Sequence, residues 1–144
     1  MVIQRWQTVW LLIAAILAAV FCFLPMALVS DAMASPESVT FIRPTDLPVL
    51  FVVDGVVALL LFIAIFLYKN TARQRTVTLV SMLLIVVVMV TEGCYLISWN
   101  AGEGGRVEWL GSIFLLFGSL VAAALAYRGI RHDERLLRAA DRLR

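Results

Sequence analysis

A polar joint, Lys69-Asn70-Thr71-Ala72-Arg73-Gln74-Arg75, sits between two long apolar runs, residues 48–68 and 76–97. At about 1.5 Å of rise per residue, a helix of about twenty residues matches the roughly 30 Å hydrocarbon core of a bilayer. The joint holds Lys69, Arg73 and Arg75 and no acid. Short loops rich in Lys and Arg stay on the cytoplasmic side, so the joint marks that side and fixes the direction of both neighbouring spans. Counting outward from it orients the whole chain.

Two further apolar runs, 8–28 and 107–127, complete the pattern. Hydrophobic residues make up 62% of the 144 and charged residues 15%, with a mean hydropathy of +0.96. Soluble domains carry about 25% charged residues. What lies between the runs is too short for an independent soluble catalytic or binding module. The expected fold class is an all-α membrane protein: one integral domain, residues 1–144, built as a four-transmembrane-helix bundle of two helical hairpins. Residues 29–47 form an external loop, and residues 128–144 a basic amphipathic C-terminal helix.

The charges agree with this topology. Of twelve Lys and Arg, only Arg43 and Arg106 fall outside. Arg5, Lys69, Arg73, Arg75, Arg128, Arg131, Arg135, Arg138, Arg142 and Arg144 all face inward, as the positive-inside bias requires. Aromatic residues prefer the headgroup level: Trp6, Trp10, Tyr68 and Tyr127 fall at inner ends, and Tyr95, Trp99 and Trp109 at outer ends. A secretory signal competes for the first run, because Ala32-Met33-Ala34 offers a small-x-small cleavage pattern; cleavage would leave three spans in the same orientation.

In the external loop, residues 38–42 suit a short extended piece. Pro48 fits the first turn of the second span, and Asp46 suits its N-terminal cap. The run Asn100-Ala101-Gly102-Glu103-Gly104-Gly105 reads as a tight outer turn. Small residues, namely Gly111, Gly118, Ser112 and Ser119 on the fourth run and Ala14, Ala15, Ala18 and Ala19 on the first, suit close helix contact in lipid, within the chain or with another copy.

Asp54 and Glu92 are the ionisable residues well inside the spans. Each lies roughly 9 Å below the outer boundary, and Cys22 shares that level. Intramembrane acids are costly, and two at matched depth could share a proton as a proton-coupled transporter requires. The structural alternatives are pairing with Arg43 or Arg106 at the rim and interhelical hydrogen bonding. Gly55 and Gly93 directly follow the two acids, which suits either a loosened backbone or tight packing. Cys22 and Cys94 fit small buried thiols, with a disulfide between them geometrically conceivable.

In the tail, Arg128, Arg131, Arg135, Arg138 and Arg142 fall within a sector about 80° wide on a helical wheel. Ile130, Leu136, Leu137, Ala139, Ala140 and Leu143 occupy another arc, and Glu134 precedes Arg138 in the i, i+4 orientation that supports a helix. Such a helix points to anionic headgroups or an acidic partner at the cytoplasmic face; its plainer role is a solvated cap that fixes topology. Nucleic acid is not expected, because the tail has no aromatic residue to stack bases. His132 is the lone histidine, and no metal-ligand spacing, phosphate-cradling loop or other catalytic pattern is present. No cofactor and no enzyme activity are expected.

Two terminal segments carry a resemblance. Ile3-Gln4-Arg5-Trp6-Gln7 and the ending Tyr127-Arg128-Gly129-Ile130-Arg131-His132-Asp133-Glu134-Arg135-Leu136-Leu137-Arg138-Ala139-Ala140-Asp141-Arg142-Leu143-Arg144 resemble the bacterial four-span inner-membrane family termed domain of unknown function 4293. The likeness runs the full length, with Asp-Arg-Leu-Arg its most specific part. It implies a retained N-terminus and weight on the cytoplasmic ends, and assigns no catalytic residue. The expected role is a non-enzymatic accessory or scaffold subunit in the bacterial inner membrane, both termini cytoplasmic. It would engage anionic lipid, a membrane-protein partner or another copy of itself through those ends. A small proton- or ion-coupled transporter or channel subunit using Asp54 and Glu92 is the alternative.

Overall fold

Pro25 decides where the first helix stops. Its ring would collide with the carbonyl of Phe21, four residues back, and it has no N–H to donate. In the computed structural model, which describes residues 2–30, 39–102 and 106–143, helix α1 is Val2–Phe21. The chain leaves it through tighter bonds from Phe23 N–H to the Val20 carbonyl (3.2 Å) and from Leu24 N–H to the Phe21 carbonyl (3.2 Å). The first apolar run, expected as a span over 8–28, is therefore part helix and part strand: β1 (Ala27–Ser30) uses its last residues.

β1 is the centre of a small antiparallel sheet with β2 (Val39–Ile42) and β3 (Arg106–Trp109), in the order β2-β1-β3. Val29 stands opposite Thr40 on one side and Val107 on the other. The expected extended piece in the external loop is β2. Strand β3 corrects the expected fourth span at 107–127, whose helix begins at Ile113. Arg-Val-Glu-Trp alternates polar and apolar, which is the period of a strand.

The other helices are α2 (Pro48–Phe66), α3 (Thr71–Gly102) and α4 (Ile113–Arg142). Pro48 takes the first turn of α2 as expected, but Asp46 does not cap it. The cap position falls to Leu47, without a side-chain bond, while Asp46 Oδ2 accepts the Arg43 N–H at 3.0 Å and closes a 3₁₀ turn, Pro44–Asp46. The basic joint is also tighter than expected. A 3₁₀ turn, Leu67–Lys69, leads to Asn70, whose Oδ1 accepts the Arg73 N–H (3.2 Å) as an N-cap, so Arg73 and Arg75 ride on α3. Gln74 Nε2 donates to the Ala64 carbonyl (3.1 Å), which also accepts the Leu67 N–H where α2 ends. The expected outer turn is helical as far as Gly102; residues 103–105 lie outside the described residues, as do Asp31, Pro36, Glu37 and the Ala32-Met33-Ala34 pattern.

Among the described residues the chain is predominantly helical, and α2, α3 and α4 are long and apolar enough to cross a membrane; the apolar part of α1, Trp6–Phe21, is shorter. α1 packs on α2 and α4, and α3 packs on the same two. Buried positions recur at spacings of three and four: Leu50, Asp54, Val57, Leu61 and Ala64 on α2, and Thr78, Ser81, Ile85, Val88, Glu92 and Leu96 on α3. That stripe suits helices crossing at a shallow angle. Outward faces are apolar: Val49, Leu59, Phe66, Leu83, Val90 and Phe114 are exposed. An apolar surface on this scale needs lipid or a partner against it.

Candidate functional site

The two ends of the helix assembly handle polar groups differently. At the sheet end, Asp54 and Glu92 occupy core-facing positions of neighbouring antiparallel helices, and both are fully buried. Side chains lean toward the N-terminus of their own helix, so Asp54 leans toward the sheet and Glu92 away from it. The two helices that carry them, α2 and α3, pack against each other. Cys22, in the turn after α1, donates its S–H to Asp54 Oδ2 at 2.8 Å. Among the described residues, Asp54 Oδ1 and both oxygens of Glu92 have no hydrogen-bond partner. Leu50, Val57, Val88 and Leu96, buried apolar residues, stand one turn to either side of them.

Neither acid forms an ion pair within the described residues; Arg43 is exposed, and the Arg106 side chain lies outside what the structure describes. Cys94 is exposed as well, so the reading of two buried thiols holds for Cys22 alone; both cysteines are free, and no disulfide joins them. Gly55 and Gly93 correct the tight-packing alternative, because a Cβ at either would meet open space.

At the opposite end the polar groups are partnered. Buried Gln7 on α1 donates to Asp133 Oδ2 on α4 at 2.7 Å. Gly129 makes that approach possible, since a Cβ there would sit 2.8 Å from Gln7 Cγ. Arg75 on α3 pairs with Glu134 Oε2 (2.6 Å), and Arg138 pairs with Glu134 Oε1 (2.7 Å). Glu134 thus ties the basic joint to the tail. The small-residue stripe works inside the chain: Ser119 Oγ donates to the Ala14 carbonyl (2.8 Å), Ser112 Oγ to the Pro25 carbonyl (2.8 Å), and Gly118 admits Leu17.

Beyond Asp133, the last buried residue of α4, the helix stands clear. Leu137, next at the core spacing, is 54% exposed, and Leu136 and Leu143 are exposed too. Arg128, Arg131, Arg135, Arg138 and Arg142 are all exposed along the helix. Arg131 sits over the Tyr127 ring, 6.0 Å from its centroid. Arg135, Arg138, Ala139, Arg142 and Leu143 line a shallow groove of about 410 Å³.

The family described as "Domain of unknown function (DUF4293)" matches residues 3–143, nearly the entire chain. The chain belongs to that family. No curated protein and no solved structure matches it. The DUF4293 match therefore brings both ends within one family domain without assigning either a chemistry.

The structure joins Cys22 to Asp54, buries Glu92 on the neighbouring helix, and keeps the tail arginines on one continuous helix. It adds Gln7, Asp133 and Arg75, which sequence reasoning did not single out. Gln7 and Asp133 are far apart in sequence, and only packing of α1 on α4 reveals the pair. Glu134 carried a local signal through Arg138, but nothing local points from it to Arg75.

Proposed function

We propose that this DUF4293 member is a four-helix-bundle membrane protein, with α1 to α4 each crossing the bacterial inner membrane and both termini cytoplasmic. Its role is that of a non-enzymatic accessory or scaffold subunit whose basic arm meets an acidic partner. The observation that carries this reading is the overhang of α4. Nine residues past Asp133, at about 1.5 Å each, carry Arg142 about 14 Å beyond the packed core. Arg128 and Arg131 lie nearest the core, where anionic headgroups would hold them. Arg135, Arg138 and Arg142 lie farther along and suit an acidic protein surface.

Other features fit the same orientation. The N-terminal helix, the basic joint and the arm meet at one end through Gln7–Asp133 and Arg75–Glu134. Exposed Trp6 and Tyr68 belong to that end, and exposed Trp109 to the other, as interfacial rings do. The test is recovery of partners from membranes by tagged, full-length protein. Replacing Arg135, Arg138 and Arg142 with Ala should lower recovery of an acidic partner at least about tenfold, roughly 1.4 kcal/mol of binding. Asp54→Asn should leave recovery unchanged. Unchanged recovery with the arginine variant would remove the scaffold reading.

A second reading, a small proton- or ion-coupled transporter or channel subunit, draws on the orphaned oxygens of Glu92. Proton flux in proteoliposomes that is lost in Glu92→Gln would favour it.

A further inference from the structure

We propose that Cys22, Asp54 and Glu92 form a proton-binding site buried in the helix core near the sheet, with Glu92 taking up the proton and Asp54 keeping its charge. The site is the local half of the transport reading, yet it does not need transport: a proton can bind here without crossing.

Three elements supply the groups: the turn after α1, α2 and α3. Glu92 is fully buried, and among the described residues neither of its oxygens has a partner. An ionised carboxylate with no donor and no cation, on a helix packed against the one that carries Asp54, is the costliest state available to it. Asp54 differs, because the Cys22 S–H already donates to its Oδ2. One proton on Glu92 lowers the charge of the pair from two to one and leaves the remaining charge on the oxygen set that has a donor. Two interacting carboxyls then titrate as a unit.

Among the described side chains, few other charged groups bear on the site. α2 contributes Asp54 alone, and α3 contributes Glu92, with Tyr95 half-buried and Cys94 exposed nearby. From Ile113 through Ala126, α4 has no ionisable side chain. Arg43, Asp46 and Glu108 at the sheet end are exposed. A metal ion is the competing ligand. Among the described residues no group of three or more His, Cys, Asp or Glu is arranged to hold one. Two carboxyls and a thiol in an apolar setting fit a proton, which needs one lone pair rather than a coordination shell.

The test uses full-length protein in lipid nanodiscs and the hydrophobic reagent dicyclohexylcarbodiimide. A protonated carboxyl adds its O–H across a C=N bond of the reagent, and the adduct rearranges to a stable N-acylurea with no leaving group. Mass mapping should find the adduct on Glu92, with yield falling about tenfold per pH unit above the midpoint. A water-soluble carbodiimide should mark exposed Glu108 and spare Glu92. Infrared spectra of the same unmodified sample should show a protonated-carboxyl band that disappears over the same pH range and is missing from Glu92→Gln. An adduct on Glu92 that does not vary with pH, or absence of both the adduct and the titrating band, overturns the proposal. Proton binding without flux in proteoliposomes would keep this inference and discard transport.

Discussion

Both ends of this protein bury acids, and they do so by opposite means. At the end away from the sheet Asp133 faces Gln7, and Glu134 is held by Arg75 and Arg138. At the sheet end, among the described residues, Asp54 has one thiol donor and Glu92 has none. A buried polar group that is paired holds elements together, whereas one left unpaired costs stability and needs another reason to be there. The acids away from the sheet are construction; those at the sheet end are the candidates for chemistry.

Substitutions that remove acids should therefore move stability in opposite directions at the two ends. The largest effect is expected for Glu92→Met, which keeps a long unbranched side chain and removes two unpartnered oxygens. It should stabilise the protein by about 1–3 kcal/mol, read as a higher unfolding midpoint in detergent. Destabilisation instead would mean that Glu92 has a structural partner and would erase the contrast. Asp133→Ala should destabilise by about 1–2 kcal/mol, because it strands the buried Gln7 amide. In a double-mutant cycle Gln7→Leu should recover part of that loss, and strict additivity would show that the pair does not couple.

How much of this was legible in the sequence depended on the range of the interaction. Hydropathy located α2, most of α3 and the arm, because apolar length and charge sign are local properties. It merged β1 with α1 and β3 with α4, since a short apolar strand adjoining an apolar helix has no separate hydropathy signature. Pro25 was the available stop signal, placing the end of α1 four residues earlier at Phe21. Depth counting brought Asp54, Glu92 and Cys22 to one level. It could not say which oxygens find donors, and the Gln7–Asp133 and Arg75–Glu134 pairs depend on helix neighbours that no local pattern encodes.

Smaller changes sharpen the half of the comparison that lies away from the sheet. Gly129→Ala should cost about 1 kcal/mol or more, because the added methyl must displace Gln7, and thermal unfolding would register it. Loss of the part-exposed Arg75–Glu134 pair through Arg75→Gln should cost less, about 0.5–1 kcal/mol, and the difference should shrink as salt is raised. An Arg75→Gln effect that survives high salt would show that Arg75 packs rather than pairs.

The account stands or falls on which side of the membrane each end occupies. Single reporter cysteines placed by Val39→Cys and Arg142→Cys, in a background carrying Cys22→Ser and Cys94→Ser, can be probed in intact cells with a membrane-impermeant maleimide. Position 39 should label in intact cells, and position 142 only after the membrane is opened. Labelling of position 142 in intact cells, with position 39 protected, would invert the molecule and contradict the assignment of its basic arm to the cytoplasm.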